Sequence, residues 1–158
     1  DLGGFVRAKR PKRVPVVLTK DEVSGLLDEM SGKYRLMGSL LYGTGMRLME
    51  CLRLRVQDID FGYGFIVVRS GKGNKDRRVP LPDKLRKPLQ QQIDEAKLLH
   101  DEDLLAGFGE VYLPMALARK YPKASKELKW QYIFPSSRLS VDPRGGATRR
   151  HHLHESSL

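Results

Sequence analysis

The chain has 158 residues, 29 of them Lys or Arg and 19 Asp or Glu, for a net charge of +10. That length suffices for one domain with a hydrophobic core, and the basic excess points to a polyanionic partner, with a merely basic surface as the alternative. A single cysteine, Cys51, excludes an internal disulfide, and no apolar run approaches a membrane span or a signal peptide, so the expected compartment is a bacterial-type cytoplasm.

Residues 1–15 carry Arg7, Lys9, Arg10, Lys12 and Arg13 among two prolines and little that packs. This predicts a basic interdomain linker, either laid along phosphates or serving as a solvated tether, with the folded part over 16–158. Leu18-Thr19-Lys20-Asp21-Glu22-Val23 has the form of a capping box with a hydrophobic staple, and Val23, Leu26, Leu27 and Met30 give the helix that follows one apolar face. Tyr34, Met37, Leu40 and Leu41 mark a second helix, closed by Gly43; both stripes are expected in the core. Thr44 is expected to cap a further helix with Arg47 in its first turn. Glu50 then lies three residues on, where its carboxylate can fix the guanidinium, although the same pair also describes an ordinary solvated ion pair. Cys51 reads as a small buried side chain within that helix.

Residues 56–61 alternate weakly and predict a first strand. Phe65-Ile66-Val67-Val68-Arg69 and Arg77-Arg78-Val79-Pro80-Leu81 predict two more, joined as a hairpin by Ser70-Gly71-Lys72-Gly73-Asn74-Lys75-Asp76. That tip lacks the G-x-x-x-x-G-K-[ST] pattern, which argues against an NTPase. Leu85, Leu89, Ile93, Ala96 and Leu99 predict an amphipathic helix, with a break or kink near Lys87 because Pro88 lacks a donor. The expected class is therefore α+β, helices around a small three-stranded antiparallel sheet. From residue 100 onward the chain becomes dense in glycine, proline, aromatics and histidine; Pro114 is expected to open a short helix through Lys120, and residues 130–134 to form a strand. His151, His152 and His154 have no paired cysteine or spaced carboxylate to complete a ligand set, so neither metal nor cofactor is expected.

The run GTGMRLMECLRLRVQDIDF followed by GKGNKDRRVPLP resembles the first arginine box and adjoining β-hairpin of the tyrosine recombinase (phage integrase) family. LPMALARKYP, WQYIFPS, LSVDPRGG and RRHHLHE resemble, in order and spacing, the additional insert of integron integrases. The resemblance implies the first part of a recombinase catalytic domain with an insert at roughly 100–158. It also implies integration and excision of gene cassettes through a phosphotyrosine intermediate, without metal. The pentavalent transition state gains charge on its non-bridging oxygens and the leaving 5′ oxygen needs a proton, demands that an arginine fork and a lysine meet. Arg47 matches the first clamp, supported by Glu50, and Lys72 the general acid; Lys75 is the weaker candidate for the acid and, with Arg77, a contact to backbone phosphate.

In integron integrases the insert helps recognise folded single-stranded cassette sites. By that resemblance Trp130, Pro143, His151 and His152 offer stacking or apolar surfaces to an extrahelical base, and Arg149 and Arg150 add positive charge. A buried anchor is the alternative role for Trp130. The family's second arginine box and its tyrosine are not found: Arg149-Arg150-His151-His152 lacks the box pattern, and Tyr34, Tyr42, Tyr63, Tyr112, Tyr121 and Tyr132 read as packing residues. The chain is accordingly expected to be a catalytically incomplete fragment of a parent that works as a tetramer on DNA. The alternative is a non-enzymatic DNA-binding module descended from a recombinase.

Overall fold

The computed structural model describes residues 16–69 and 75–158. The basic arm and most of the hairpin tip, Lys72 included, lie outside the described residues.

Thr19 caps α1 (Lys20–Glu29) as expected: its backbone N–H donates to Glu22 Oε2 at 2.8 Å, and Glu22 N–H donates back to its hydroxyl at 3.3 Å. The apolar stripe of α1, however, is not core. None of its residues is buried; the helix packs along α2 (Gly32–Thr44), where Gly38 admits it, and a Cβ on Gly38 would stand 2.8 Å from Leu27 Cδ2. Of the α2 stripe, Met37 and Leu40 are buried, with Leu36 beside them, and Leu41 packs against the core, whereas Tyr34 is exposed.

The helix boundary that follows differs from the one predicted. α2 continues through Thr44, and Gly45 ends it in the left-handed region at φ 65°, its N–H donating to Leu41 O at 3.0 Å. The Thr44 hydroxyl donates to Leu40 O at 2.6 Å, so Thr44 closes one helix instead of opening the next. Arg47 takes the N-cap position of α3 (Leu48–Leu52).

Residues 56–61 yield only a two-residue strand, β1 (Ile59–Asp60), after a 3-10 turn over Val56–Asp58. The turn wins because buried Asp58 needs partners: it accepts from Arg55 N–H at 3.0 Å and from the Arg69 guanidinium. The predicted hairpin forms as β2 (Phe65–Val68) and β3 (Arg77–Pro80), and the antiparallel order is β1-β2-β3, with Ile66 opposite both Ile59 and Val79. Ile66 and Val68 point inward, the alternation expected of a sheet covered on one face.

α4 (Asp83–Leu105) runs through Pro88 without a break near Lys87, a break being the first of the two outcomes expected there. The N–H that proline lacks would have reached only the carbonyl of Lys84 in the first turn, and Leu89 and Ile93 hold the helix in the core beside α2.

The remainder includes α5 (Met115–Lys120), opened by Pro114 as predicted, and the hairpin of β4 (Pro135–Val141) and β5 (Thr148–His152). Residues 130–134 are not a strand: Trp130 ends a 3-10 turn, and Tyr132 forms an isolated antiparallel bridge to Arg55. The chain is instead drawn inward there, placing Ile133, Phe134 and Leu153 in the same core as Leu40 and Ile66. Val111, Leu113 and Ala124 form a second small core under Trp130 and Tyr132. Among the described residues no helix is long and apolar enough to cross a membrane.

Arg150 fastens the terminal hairpin to α4. Its Nε and Nη2 donate to the two oxygens of Asp103, each at 2.6 Å, while Nη1 donates to Ser136 O at 2.9 Å. Asp103 is buried, so the fork supplies the hydrogen bonds that water cannot. Replacement Arg150→Ala should lower unfolding free energy by roughly 3 kcal/mol, the cost of stranding a buried carboxylate. Chemical denaturation monitored by circular dichroism measures this, and a loss below about 1 kcal/mol would show the pair to be solvated.

Candidate active site and nucleic-acid interface

The Gly45 turn delivers Arg47 to the start of α3, and one helical turn brings Glu50 back beneath it. Arg47 N–H donates to Glu50 Oε2 at 2.8 Å and Arg47 Nη1 to Oε1 at 3.0 Å. The same carboxylate accepts a second fork, from Arg77 Nη1 at 2.9 Å and Nη2 at 2.7 Å. The sequence reading gave Glu50 one arginine; the fold gives it two, because β3 begins beside the N-terminus of α3. The Glu50 side chain is 8% exposed, against 58% for Arg47 and 37% for Arg77, so the carboxylate lies beneath two cations open to solvent.

Hydrogen bonding from Arg77, with a smaller contribution from Arg47, holds the Glu50 carboxyl down at about 2 against burial, which pushes the other way. Gly45, Arg47, Lys75, Asp76 and Arg77 line a shallow recess of about 370 Å³, which brings three of the expected cationic residues to one place. Lys75 is exposed there, and Arg77 is held sideways by Glu50. Lys72, the expected general acid, lies outside the described residues.

On the other side of Arg47 opens a larger cavity of about 790 Å³. Arg47, Glu50, Arg53, Arg55, Gln57, Asp58 and Arg69 line it together with Pro114, Leu117, Trp130 and Tyr132. Trp130 Nε1 and Gln57 Nε2 are buried on this lining with no hydrogen-bond partner among the described residues. The sequence reading missed Arg55, Gln57 and Arg69. The signal available was the run Arg53-Leu54-Arg55-Val56-Gln57, in which polar side chains alternate with apolar ones that the core claims.

The other expected contact residues are dispersed. Pro143 is exposed in the turn between β4 and β5. Arg149 Nη1 donates to fully buried Asp142 at 2.9 Å, and Arg150 is taken by Asp103; both guanidiniums serve the packing of the hairpin. His151 is half-buried on β5. His152 packs edge-on against Tyr132, with ring centroids 5.3 Å apart, and burial pulls its pKa below the ordinary histidine value, so the imidazole is neutral near pH 7. Its Nδ1 lies 2.7 Å from Leu153 O, the geometry of a donor to that carbonyl. Cys51 is fully buried, and burial raises its thiol to about 12, which excludes a thiolate nucleophile.

A family model described as "Phage integrase family" matches residues 16–154. The chain is similar to an "Integrase/recombinase" of Escherichia coli, 46% identical over 152 residues, covering 96% of this chain and 45% of that protein. A "Tyrosine recombinase XerA" of Thermococcus kodakarensis is 42% identical over 102 residues, 60% of this chain and 36% of that one. Among solved structures, that of a XerA recombinase superposes with a TM-score of 0.53 at 25% identity, over 96% of this chain and 41% of the other. The chain thus spans less than half the length of these relatives.

The depressed Glu50 pKa has a definite sign. Its contribution to stability is complete above the ordinary value near 4.5 and is lost as pH falls toward about 2. Glu50→Gln, which cannot ionise, should flatten the dependence of stability on pH across that window. Denaturant midpoints measured from pH 5 to pH 2 test this, and equal slopes in the two proteins would show that the double fork does not form in solution.

Proposed function

This chain belongs to the phage integrase (tyrosine recombinase) family, and from that premise we propose that it is part of an integron-type recombinase acting on DNA recombination sites, folded single-stranded cassette sites among them. One observation carries the reading: the arginine of the GTGMR motif and Trp130 line the same cavity. A phosphate held at Arg47 leaves the adjoining nucleotide near Pro114, Leu117, Trp130 and Tyr132. An apolar and aromatic lining suits an unpaired base, whose π-face is free.

In this reading Arg47 clamps the scissile phosphate and neutralises the charge that grows on its non-bridging oxygens. Glu50 fixes the fork, so that no rotational freedom is lost when phosphate arrives. Lys72 protonates the leaving 5′ oxygen. Lys75 contacts neighbouring backbone phosphate, and the basic arm extends the same electrostatic track. Arg77, with its guanidinium committed to Glu50, supports the clamp and leaves phosphate to its neighbours. Pro143 and His151 offer further surface to an extrahelical base, whereas Arg149, Arg150 and His152 act through packing.

Affinity for a bulged cassette hairpin, measured against a fully paired control at one fixed salt concentration, tests this reading directly. Trp130→Ala should weaken binding of the bulged DNA by roughly 1 to 3 kcal/mol and of the paired DNA little. Equal losses on both, together with a lower melting temperature, would make Trp130 an anchor and remove base recognition from the function. In the full-length parent, Lys72→Ala should slow strand cleavage strongly and a 5′-thiol leaving group, which needs no proton, should restore it. Rescue of Lys75→Ala instead would transfer the acid to Lys75.

A further inference from the structure

Arg55 belongs to the segment after the arginine box, yet every partner of its guanidinium lies far along the chain. Nη1 donates to the backbone carbonyl of Trp130, Nη2 to the carbonyl of Tyr112 at 2.9 Å, and the Tyr132 hydroxyl stands 3.4 Å away. The guanidinium carbon sits 4.6 Å from the centroid of the Tyr132 ring. Backbone bonds close the same junction, from Val56 N–H to Gln131 O at 3.1 Å and from Ile133 N–H to Leu54 O at 2.9 Å. Its own backbone N–H is held by buried Asp58, which also receives Arg69. Arg55 is thus fixed at its root by the recombinase core and spends its head on the segment that carries Trp130.

We propose that Arg55 is a positioning residue for substrate choice: it holds Trp130 at the wall of the cavity shared with Arg47, so that an unpaired base on Trp130 and a phosphate on Arg47 are engaged in one register. The inference rests on the base-recognition reading above. Only a planar fork does this work, since two carbonyls on separate segments and the face of a ring must be met at once by a single cation. An ammonium at the same place would keep the charge but reach one carbonyl at a time. Trp130 lines the cavity and its backbone carbonyl is held by Arg55, so a small shift of that backbone would displace the stacking face.

Trp130 is the chain's single tryptophan, so its fluorescence reports the position of this one side chain. Arg55→Lys in the full chain should raise acrylamide quenching of Trp130 at least twofold without DNA. It should also cut the preference for a bulged hairpin over a fully paired one at least fivefold, while paired-DNA affinity stays within twofold. Tyr132→Leu, which removes the ring under the guanidinium and no charge, should reproduce the quenching change if Arg55→Lys fails to fold. Unchanged quenching in a folded Arg55→Lys protein overturns the proposal, as does an equal loss on both DNAs, which marks Arg55 as a general phosphate contact. If the unaltered chain itself shows no preference for bulged DNA, the base-recognition reading falls with the substrate-choice role, and the quenching result alone decides whether Arg55 positions Trp130.

Discussion

A carboxylate nearly closed off from water, accepting hydrogen bonds from two guanidiniums at once, is the constraint on which the site depends. Glu50 would be costly to bury alone, and neither arginine has another carboxylate within ion-pair distance among the described residues. The arrangement ties three separate decisions of the chain together. Gly45 turns the backbone so that Arg47 caps α3, one turn of α3 returns Glu50, and the register of the β2–β3 hairpin sets Arg77 at the head of β3. Displacing Glu50 strands both arginines, whereas displacing one arginine leaves the carboxylate to the other.

The same hairpin leads toward Lys72 and carries Lys75 beside the recess at Arg47. In the proposed mechanism, clamp and acid must address the non-bridging and leaving oxygens of one phosphate, so their relative placement matters more than the freedom of either. Glu50 supplies a physical link between them: the residue that orients Arg47 also anchors the strand returning from the hairpin tip. The segment after α4 is secured by comparable means. Arg150 on Asp103, Gln92 on Ile133 O at 3.0 Å and Arg55 on the carbonyls around Trp130 are all polar groups from one part of the chain satisfied by the other.

Local patterns were legible where local physics decides. The Thr19 capping box, the pairing of residues 65–68 with 77–80 and the Pro114 helix start all follow from residues close together in the chain, and all are present. Expectations failed where a distant partner intervened. Buried Asp58 turns residues 56–58 into a 3-10 helix, and Tyr132 pairs with Arg55 in place of extending a strand. Helix α4 passes Pro88 because its neighbours reward continuity. At the site, the Arg47–Glu50 pair was readable from its spacing, whereas the bond from Arg77 to Glu50 required knowing how the sheet lies against α3. Arg150, read from sequence as a cationic DNA contact, is claimed by Asp103, 47 residues away.

The claim that Glu50 is shared can be measured as a coupling. A stability cycle over Arg47→Ala, Arg77→Ala and the double variant isolates the interaction the two arginines have through one carboxylate. Because either arginine alone can still satisfy Glu50, each single loss is partly compensated. The double variant should therefore be less stable than the sum of the single effects by about 0.5 kcal/mol or more. Additivity within roughly 0.3 kcal/mol would mean that the two arginines act independently and that the shared carboxylate does not organise the site.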